Sequence, residues 1–575
     1  MRKQFFALFA LAFCLPTIAQ TIDTDLFSPK GVAIMRITLD DGKGFWDVSS
    51  DYKLLATLTM ENSSTSVYED YEFYEGKIEI KWRGFSSQGT DQKSYNFNLV
   101  NEMREDNPHN LLGMPAHEDW ALVAAHPDKS RLRIPLAYRL GELINPEWSP
   151  RTRFTELYVN NEYQGLYALV ERVKRGVSRI DIKKLDSESS AADISGGYIL
   201  ELIPNVQERI EKEEYVFQLD YKHWNDENAK LIFTTKYPQY HNISQEQITW
   251  IKNYLNEFES VLYNDKLYKD PTNGWRKYID ENTIIDWYLI NELARNCDAQ
   301  MYASVFLYKE RNGKLKMGPL WDFDIAFGNI NYNNAYVIDG LYMIKGKWFH
   351  RFAKDEEFTQ KVRARYDEIK PVFDRIPEII RKNADILIAS GAIERNFQKW
   401  NILGTYVWPN YSPYPTTYEG ELQRLTDWIR ARNSWLNVNM FLTQEESCAK
   451  LQTEKIPLFA YDVDKFRAEQ PTTLYAVSGY DKYIWNDGAE TSSSHKSITG
   501  GNTYYVKVKK EDCWSVVSDT IQYGKPETGL PAIVSADSTG IIGYYNILGE
   551  KLPEEPEKGF YIILYSNGKS QKVIK

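Results

Sequence analysis

Two carboxylates separated by one aromatic residue, Trp321-Asp322-Phe323-Asp324, are the part of this sequence best suited to chemistry. They follow an apolar run, Leu315 to Leu320, which is broken by Gly318-Pro319 and reads as a short buried strand. Side chains alternate along a strand, so Asp322 and Asp324 are expected on one face, with Phe323 turned into the core. Two acids held that close repel, and a buried, unpaired carboxylate is costly. A divalent cation relieves both costs, and magnesium prefers oxygen ligands. A strand end with two solvated acids is the alternative, and Asp-x-Asp alone does not choose between them.

A third acid sharpens the reading. Asn291-Glu292-Leu293-Ala294-Arg295-Asn296-Cys297-Asp298 ends an apolar helical run that begins at Ile284. Val305 to Lys309 reads as a strand, Arg311-Asn312-Gly313 as a turn, and the strand from Leu315 follows. Asp298 therefore stands at a helix-to-strand corner, and a hairpin delivers the Asp322/Asp324 pair behind it. Protein kinases use the same order: a catalytic-loop Asp, a short hairpin, then a metal-binding Asp beside an aromatic residue.

A second hairpin offers positive charge. The strand Lys77 to Gly84 runs into Phe85-Ser86-Ser87-Gln88-Gly89-Thr90, and Lys93 to Leu99 alternates cleanly on the way back. Backbone N–H groups of such a turn, flanked by Arg83 and Lys93, suit the wrapping of phosphate. An ordinary Gly/Ser turn is the competing reading. Of the cysteines, Cys297 beside Asp298 reads as a small buried filler, and the seven His show no metal-ligand spacing. Cys448 and Cys513 bracket a separate C-terminal segment and suit a disulfide in an oxidising compartment; their pairing stays open.

The elements around these residues mix both periods. Val32 to Leu39, Trp120 to Ala125, Phe154 to Val159 with Leu166 to Val173 across Asn160-Asn161, and Gly196 to Leu202 read as strands. Residues 243–293 and 356–390 read as mainly helical, and an amphipathic helix from Glu421 to about Leu436 closes the domain. Asp128 or Ser130 is the expected N-cap of a helix running to Glu142, with Arg131, Arg133 and Arg139 either solvated or aimed at the pocket.

At 575 residues and 43% hydrophobic content the chain can bury a large core in more than one domain. Its net charge of −11 argues against a nucleic-acid partner. Tyr and Trp are abundant (40 and 16), which suits cores first and binding grooves second. Arg2-Lys3, the apolar stretch Phe5 to Leu15 and Thr17-Ile18-Ala19 have the form of a signal peptide over residues 1–20. Export to the periplasm, cell surface or medium is expected, with no transmembrane segment in the mature chain.

The ordered set of motifs resembles the CotH kinase-like family, that of the spore-coat protein CotH, in its secreted Bacteroidetes form. The residues carrying the resemblance are Arg83-Gly84-Phe85-Ser86-Ser87 with Lys93, Asp119-Trp120-Ala121-Leu122, and Asp128-Lys129-Ser130 with Arg133. Glu156-Leu157-Tyr158-Val159-Asn160, Gly165-Leu166-Tyr167, Glu171-Arg172, Asn296, Asp298 and Trp321-Asp322-Phe323-Asp324 complete it. The resemblance implies an α+β, atypical protein-kinase-like domain over residues 21–445 that binds ATP and Mg2+ and phosphorylates an extracytoplasmic or cell-surface protein. It implies Asp298 as the catalytic acid, Asp322 and Asp324 as the metal-binding pair, and Arg83, Ser87 and Lys93 on the phosphate side. The chain departs from the family in two places. It has no Val-Ala-Ile-Lys pattern, and where many relatives place an Asn shortly after the catalytic Asp it reads Tyr302-Ala303-Ser304-Val305. An inactive binding or scaffold protein and a carbohydrate-active protein are the alternatives.

Beyond Cys448 the short alternating strands at 472–477, 482–485 and 503–508 suggest a small Ig-like β-sandwich over residues 446–525. Residues 526–575 read as a linker and a C-terminal β-hairpin tail, a candidate sorting segment.

Overall fold

A computed structural model describes residues 31–63, 73–84, 86–204, 214–223, 230–499, 503–522, 541–545, 551–552, 560–565 and 570–574. The signal peptide expected at 1–20 lies outside the described residues, as do Phe85 and the side chains of Ser86 and Ser87.

Alternating residues in the first part of the chain build nine strands. They are β1 (Ala33–Leu39), β2 (Leu54–Asn62), β3 (Glu75–Trp82), β4 (Tyr95–Leu99), β5 (His109–Leu111), β6 (Met114–His117), β7 (Asp119–Val123), β8 (Thr152–Val159) and β9 (Glu162–Glu171). Burial in β1 alternates with the sequence, as a sheet with one face on a core requires. Seven of the strands close into a barrel in the order β1-β2-β3-β4-β7-β9-β8, around Met35, Ile37, Leu58, Ile80, Phe97, Trp120 and Leu169. Both expected hairpins are present: β3 pairs with β4 through Trp82 and Tyr95, and β8 with β9 across Asn160-Asn161. Both Asn residues have positive φ, 49° and 65°, which Asn tolerates better than most residues. The closure itself was not expected. It depends on β1 lying parallel to β8, with Ala33 opposite Thr155, a pairing that local alternation does not encode.

A second, five-stranded sheet, ordered β11-β12-β10-β13-β14, carries the site. Its strands are β10 (Tyr198–Ile203), β11 (Val216–Gln218), β12 (Ile232–Tyr237), β13 (Val305–Lys309) and β14 (Leu315–Met317). The expected helical stretch 243–293 is two helices, Gln245–Leu262 and Glu281–Ala294, each with a side-chain N-cap, from Ser244 and Asp280. The stretch 356–390 is likewise two, Glu356–Asp374 and Ile376–Ala389.

Two expectations need correction. The helix after Asp128 starts only at Arg133, with Leu132 at its N-cap and no side-chain cap. Asp128 instead accepts from the Ser130 and Arg133 N–H groups, at 3.0 and 2.8 Å. The closing helix, Tyr418–Asn439, is buried on nearly every side rather than amphipathic. Helices pack on it, and the small C-terminal sheets reach its end, where Lys510 donates to the Asn439 side chain (2.7 Å).

The strands expected beyond residue 470 are present, in sheets of three, four and two strands. The tail holds a four-stranded sheet, Ile541–Tyr545, Lys551–Leu552, Phe560–Tyr565 and Ser570–Ile574, larger than the single hairpin expected. Cys448 and Cys513, 65 positions apart, form a disulfide. Among the described residues no helix is long and apolar enough to cross a membrane.

That disulfide ties the helix Gln444–Leu451 to a strand of the small sheets. Cys513→Ser is expected to destabilise the chain by roughly 2–4 kcal/mol. A thermal melt checks it: reductant should lower the wild-type midpoint to the variant's and leave the variant unmoved.

Candidate functional site

The Asp322/Asp324 pair does not lie on a strand. β14 ends at Met317, and the chain then turns, with Gly318 at φ 120° and Asp322 at φ 63° in the left-handed region. The pair is therefore set by a turn and not by strand alternation, although Phe323 is fully buried as expected.

Neighbouring groups fix that turn. Asn296 donates to the Asp322 carbonyl (3.2 Å), the Asp322 N–H reaches the Tyr138 hydroxyl (3.5 Å), and Ser304 donates to the Asp322 carboxylate (3.2 Å). Asn329 donates to the Asp324 carbonyl (2.9 Å) and also to that of Pro127 (3.0 Å). The fully buried Arg133 ion-pairs with Asp128 (2.5 Å) and donates to the Ala326 carbonyl (3.1 Å). Of the three arginines considered for the pocket it is the one that supports it; Arg131 turns to the Ala124 carbonyl and Arg139 to Glu142. Gly328, at φ 73°, lets the loop lie flat on Trp428, because a Cβ there would come within 2.6 Å of the indole.

Asp298 arrives from the other arm. The helix Glu281–Ala294 stops at Arg295, which takes a left-handed conformation. The Phe327 N–H donates to the Ala294 carbonyl (2.8 Å), pinning the acidic loop to that helix end. The Asp298 carbonyl accepts from Tyr302 and Ala303 N–H at 3.0 and 3.1 Å, closing a tight corner, and the Cys297 thiol donates to its carboxylate (3.4 Å).

The three acids feel one another. Burial, then the charge of Asp322, pushes Asp298 up to about 6. Burial raises Asp322 as well, against the opposing pull of Arg83 and the Ser304 hydroxyl. Asp324 is pushed up to about 8 by burial, then by the charges of Asp322, Asp128 and Asp298. Near neutral pH Asp324 therefore holds on to its proton. A donor set of two carboxylates and a hydroxyl, short of positive charge, fits a hard divalent cation.

Arg83 is the cation that faces this cluster. It follows β3, its guanidinium lies 5.3 Å from the Trp321 ring centroid, and its charge acts on Asp322, Asp324 and Tyr138. Trp321 in turn stacks on Tyr138 at 5.8 Å. Lys93 takes a different place: its ammonium donates to the Gln88 and Thr90 carbonyls, both at 2.7 Å, and so shapes the hairpin turn. Ser87 falls in the 3-10 turn Ser86–Gly89, and its side chain is outside the described part. The structure thus brings Asp298, Asp322, Asp324 and Arg83 together, and gives Lys93 a role in the turn.

Sequence reasoning missed Tyr138 and Asn329, which meet the site from distant segments, and gave Asp128 only a capping role. It treated Ser304 as a mere departure, whereas the hydroxyl touches Asp322. Among the described residues, His117, Glu118 and Asp119 are the three whose ligand atoms lie within 4.8 Å of one another. Asp119 there is already neutralised by Arg172 (2.6 Å) and Lys174 (3.0 Å).

The family model described as CotH kinase protein matches residues 80–436. The chain belongs to the CotH kinase protein family. The matched stretch begins in β3 and ends in the helix Tyr418–Asn439, so it takes in Arg83, Asp298, Asp322 and Asp324. Compared with curated proteins, the chain matches none.

The raised acids make a stability prediction for this CotH protein. A carboxyl held up to about 8 binds more protons in the folded chain than in the unfolded one, from about pH 4 to pH 8. Its contribution to stability is therefore lost as pH rises through that window. With chelator present, Asp324→Asn is expected to raise the melting temperature at pH 8, by ~2 °C or more, with the gain shrinking steadily as pH falls toward 5. Differential scanning fluorimetry at the two pH values checks this.

Proposed function

We propose that this CotH protein is an extracytoplasmic atypical kinase, transferring the γ-phosphoryl group of ATP to a hydroxyl of a protein exported with it or held at the cell surface. The observation that carries this reading is that Asp298, the Asp322/Asp324 pair and Arg83 lie near enough for their charges to act on the same cluster, delivered by the β13–β14 hairpin and the β3–β4 hairpin. Phosphoryl transfer asks little covalent work of the protein: it needs an oriented hydroxyl, neutralised phosphate oxygens and a cation for the spreading charge.

Asp322 and Asp324, with Ser304 beside them, are the residues that would hold Mg2+. Bound there, the ion supplies charge neutralisation for phosphate oxygens and lowers the protonation of its own ligands. Asp298 orients the acceptor hydroxyl and takes its proton as the new P–O bond forms and ADP leaves; burial keeps its affinity for a proton higher than that of an ordinary carboxylate. Arg83 faces the phosphates. Lys93 and the turn containing Ser87 shape the hairpin above them. The signal-peptide form of residues 1–20 and the Cys448–Cys513 disulfide support export to an oxidising compartment. In the same reading, residues 446–525 are an Ig-like module and the tail sheet is a sorting element.

Three variants separate the roles. Asp298→Asn is expected to cut phosphoryl transfer by ~10²-fold or more while nucleotide-dependent thermal stabilisation survives. Arg83→Ala is expected to weaken ATP binding about tenfold, the loss of one charge-assisted contact. The double variant Asp322→Asn, Asp324→Asn should lose the magnesium dependence of ATP binding. Transfer of radiolabelled phosphate at the wild-type rate by that double variant would refute the proposal.

A further inference from the structure

Two segments beside the acidic turn share an unusual composition. Residues 401–418 and 325–338 carry no Asp, Glu, Lys, Arg or His, in a chain that is 26% charged. In place of charge they hold Tyr332, Tyr406, Trp408, Tyr411 and Tyr414, with Asn331, Asn333, Asn334 and Asn410 among them. Several of these rings are not core. Tyr406 is 50% exposed and Trp408 is 51% exposed, and Asn331, Asn333 and Asn334 are exposed beside them. Trp408 stacks on Tyr332 (6.1 Å between centroids, planes 19° apart), and the Tyr406 hydroxyl lies 3.5 Å from the Asn331 amide.

This ledge is continuous with the catalytic corner. Tyr332 hydrogen-bonds through its hydroxyl to Cys297, the neighbour of Asp298. From the other segment, Asn410 donates to the Pro127 carbonyl (2.9 Å) and to the Asn329 side chain (3.0 Å), and Asn329 holds the Asp324 carbonyl. What binds the ledge therefore lies next to Asp298, on a loop tied to Asp324.

We infer that the Tyr332–Tyr406–Trp408 ledge is a binding site for a neutral saccharide, which positions the acceptor beside Asp298. The chemistry favours that class. Exposed aromatic faces take the C–H face of a pyranose, while carboxamides and phenols meet its hydroxyls. A basic or acidic peptide would be matched by countercharges, and these two segments offer none. The inference rests on the kinase reading for its meaning, since it makes the acceptor a sugar or a glycosylated protein.

Saturation-transfer NMR tests it on the full mature chain, with neutral hexasaccharides as probes: β-1,4-glucan, β-1,4-xylan, α-1,4-glucan and α-1,6-mannan. At least one is expected to receive saturation on its ring C–H protons. Trp408→Ala should reduce that transfer about fivefold or more, and Trp408→Phe should restore part of it. A glycopeptide carrying the same sugar should bind no less well than the free sugar, and the bare peptide should give no signal. No transfer to any of the four, equal transfer with Trp408→Ala, or equal binding of the bare peptide each overturns the inference. The magnesium-dependent ATP thermal shift, run on the same samples, reports on the kinase reading alone. Lost sugar binding with that shift intact therefore counts against the saccharide site only.

Discussion

Everything in the main domain serves a repulsion. The charge of Asp322 raises the proton affinity of Asp298, and the charges of Asp322, Asp128 and Asp298 raise that of Asp324. Nothing in the energetics of folding alone would favour that arrangement, because burying like charges costs stability. It persists because the surrounding backbone is over-determined. Asn296, Asn329, Arg133 and the Phe327 N–H each fix one carbonyl or amide of the corner or of the acidic loop. A site built this way carries a cost that positive charge relieves. That is the behaviour expected of a metal- and phosphate-handling centre.

The remainder of the fold can be read as the scaffold for that cluster. The barrel presents the β3–β4 hairpin, with Arg83 at the end of β3 and Lys93 spent on the carbonyls of the turn. The five-stranded sheet presents the other hairpin, β13–β14, with Asp298 before it and the acidic turn after it. The helix Tyr418–Asn439, buried nearly all round, gives the acidic loop a floor through Trp428 and the Gly328 contact. Its Arg432 forms a fully buried ion pair with Glu292 of the helix that ends just before Asp298. Removing either partner of such a pair would leave a buried charge unmet.

How much of this was legible in the sequence follows from the range of each interaction. The hairpins β3–β4, β8–β9 and β13–β14 were readable, because alternation and turn residues are local signals. The identity and order of Asp298, Asp322 and Asp324 were readable for the same reason. Their geometry was not: a strand was assumed, and the left-handed turn at Asp322 is fixed by Asn296, Tyr138 and Ser304, none adjacent in sequence. Barrel closure through β1 and β8, the pairing of Arg133 with Asp128 below the acidic loop, and the Asn410–Asn329 link were hidden likewise. Each joins segments whose proximity only the tertiary fold creates. Cys448–Cys513 was open in sequence and is closed in the structure. The even burial of the helix Tyr418–Asn439 was missed because its second face is covered by helices from distant parts of the chain.

The central claim is that the repelling acids are relieved by a magnesium–nucleotide complex, and calorimetry tests it most directly. Titration of preformed Mg·ATP at pH 7 in two buffers of different ionisation enthalpy measures the protons released on binding. With the Asp324 carboxyl near pKa 8 before binding and a metal ligand after it, close to one proton should be released at pH 7, falling toward zero by pH 9. Binding without proton release at pH 7, or no binding heat at all, would contradict the account.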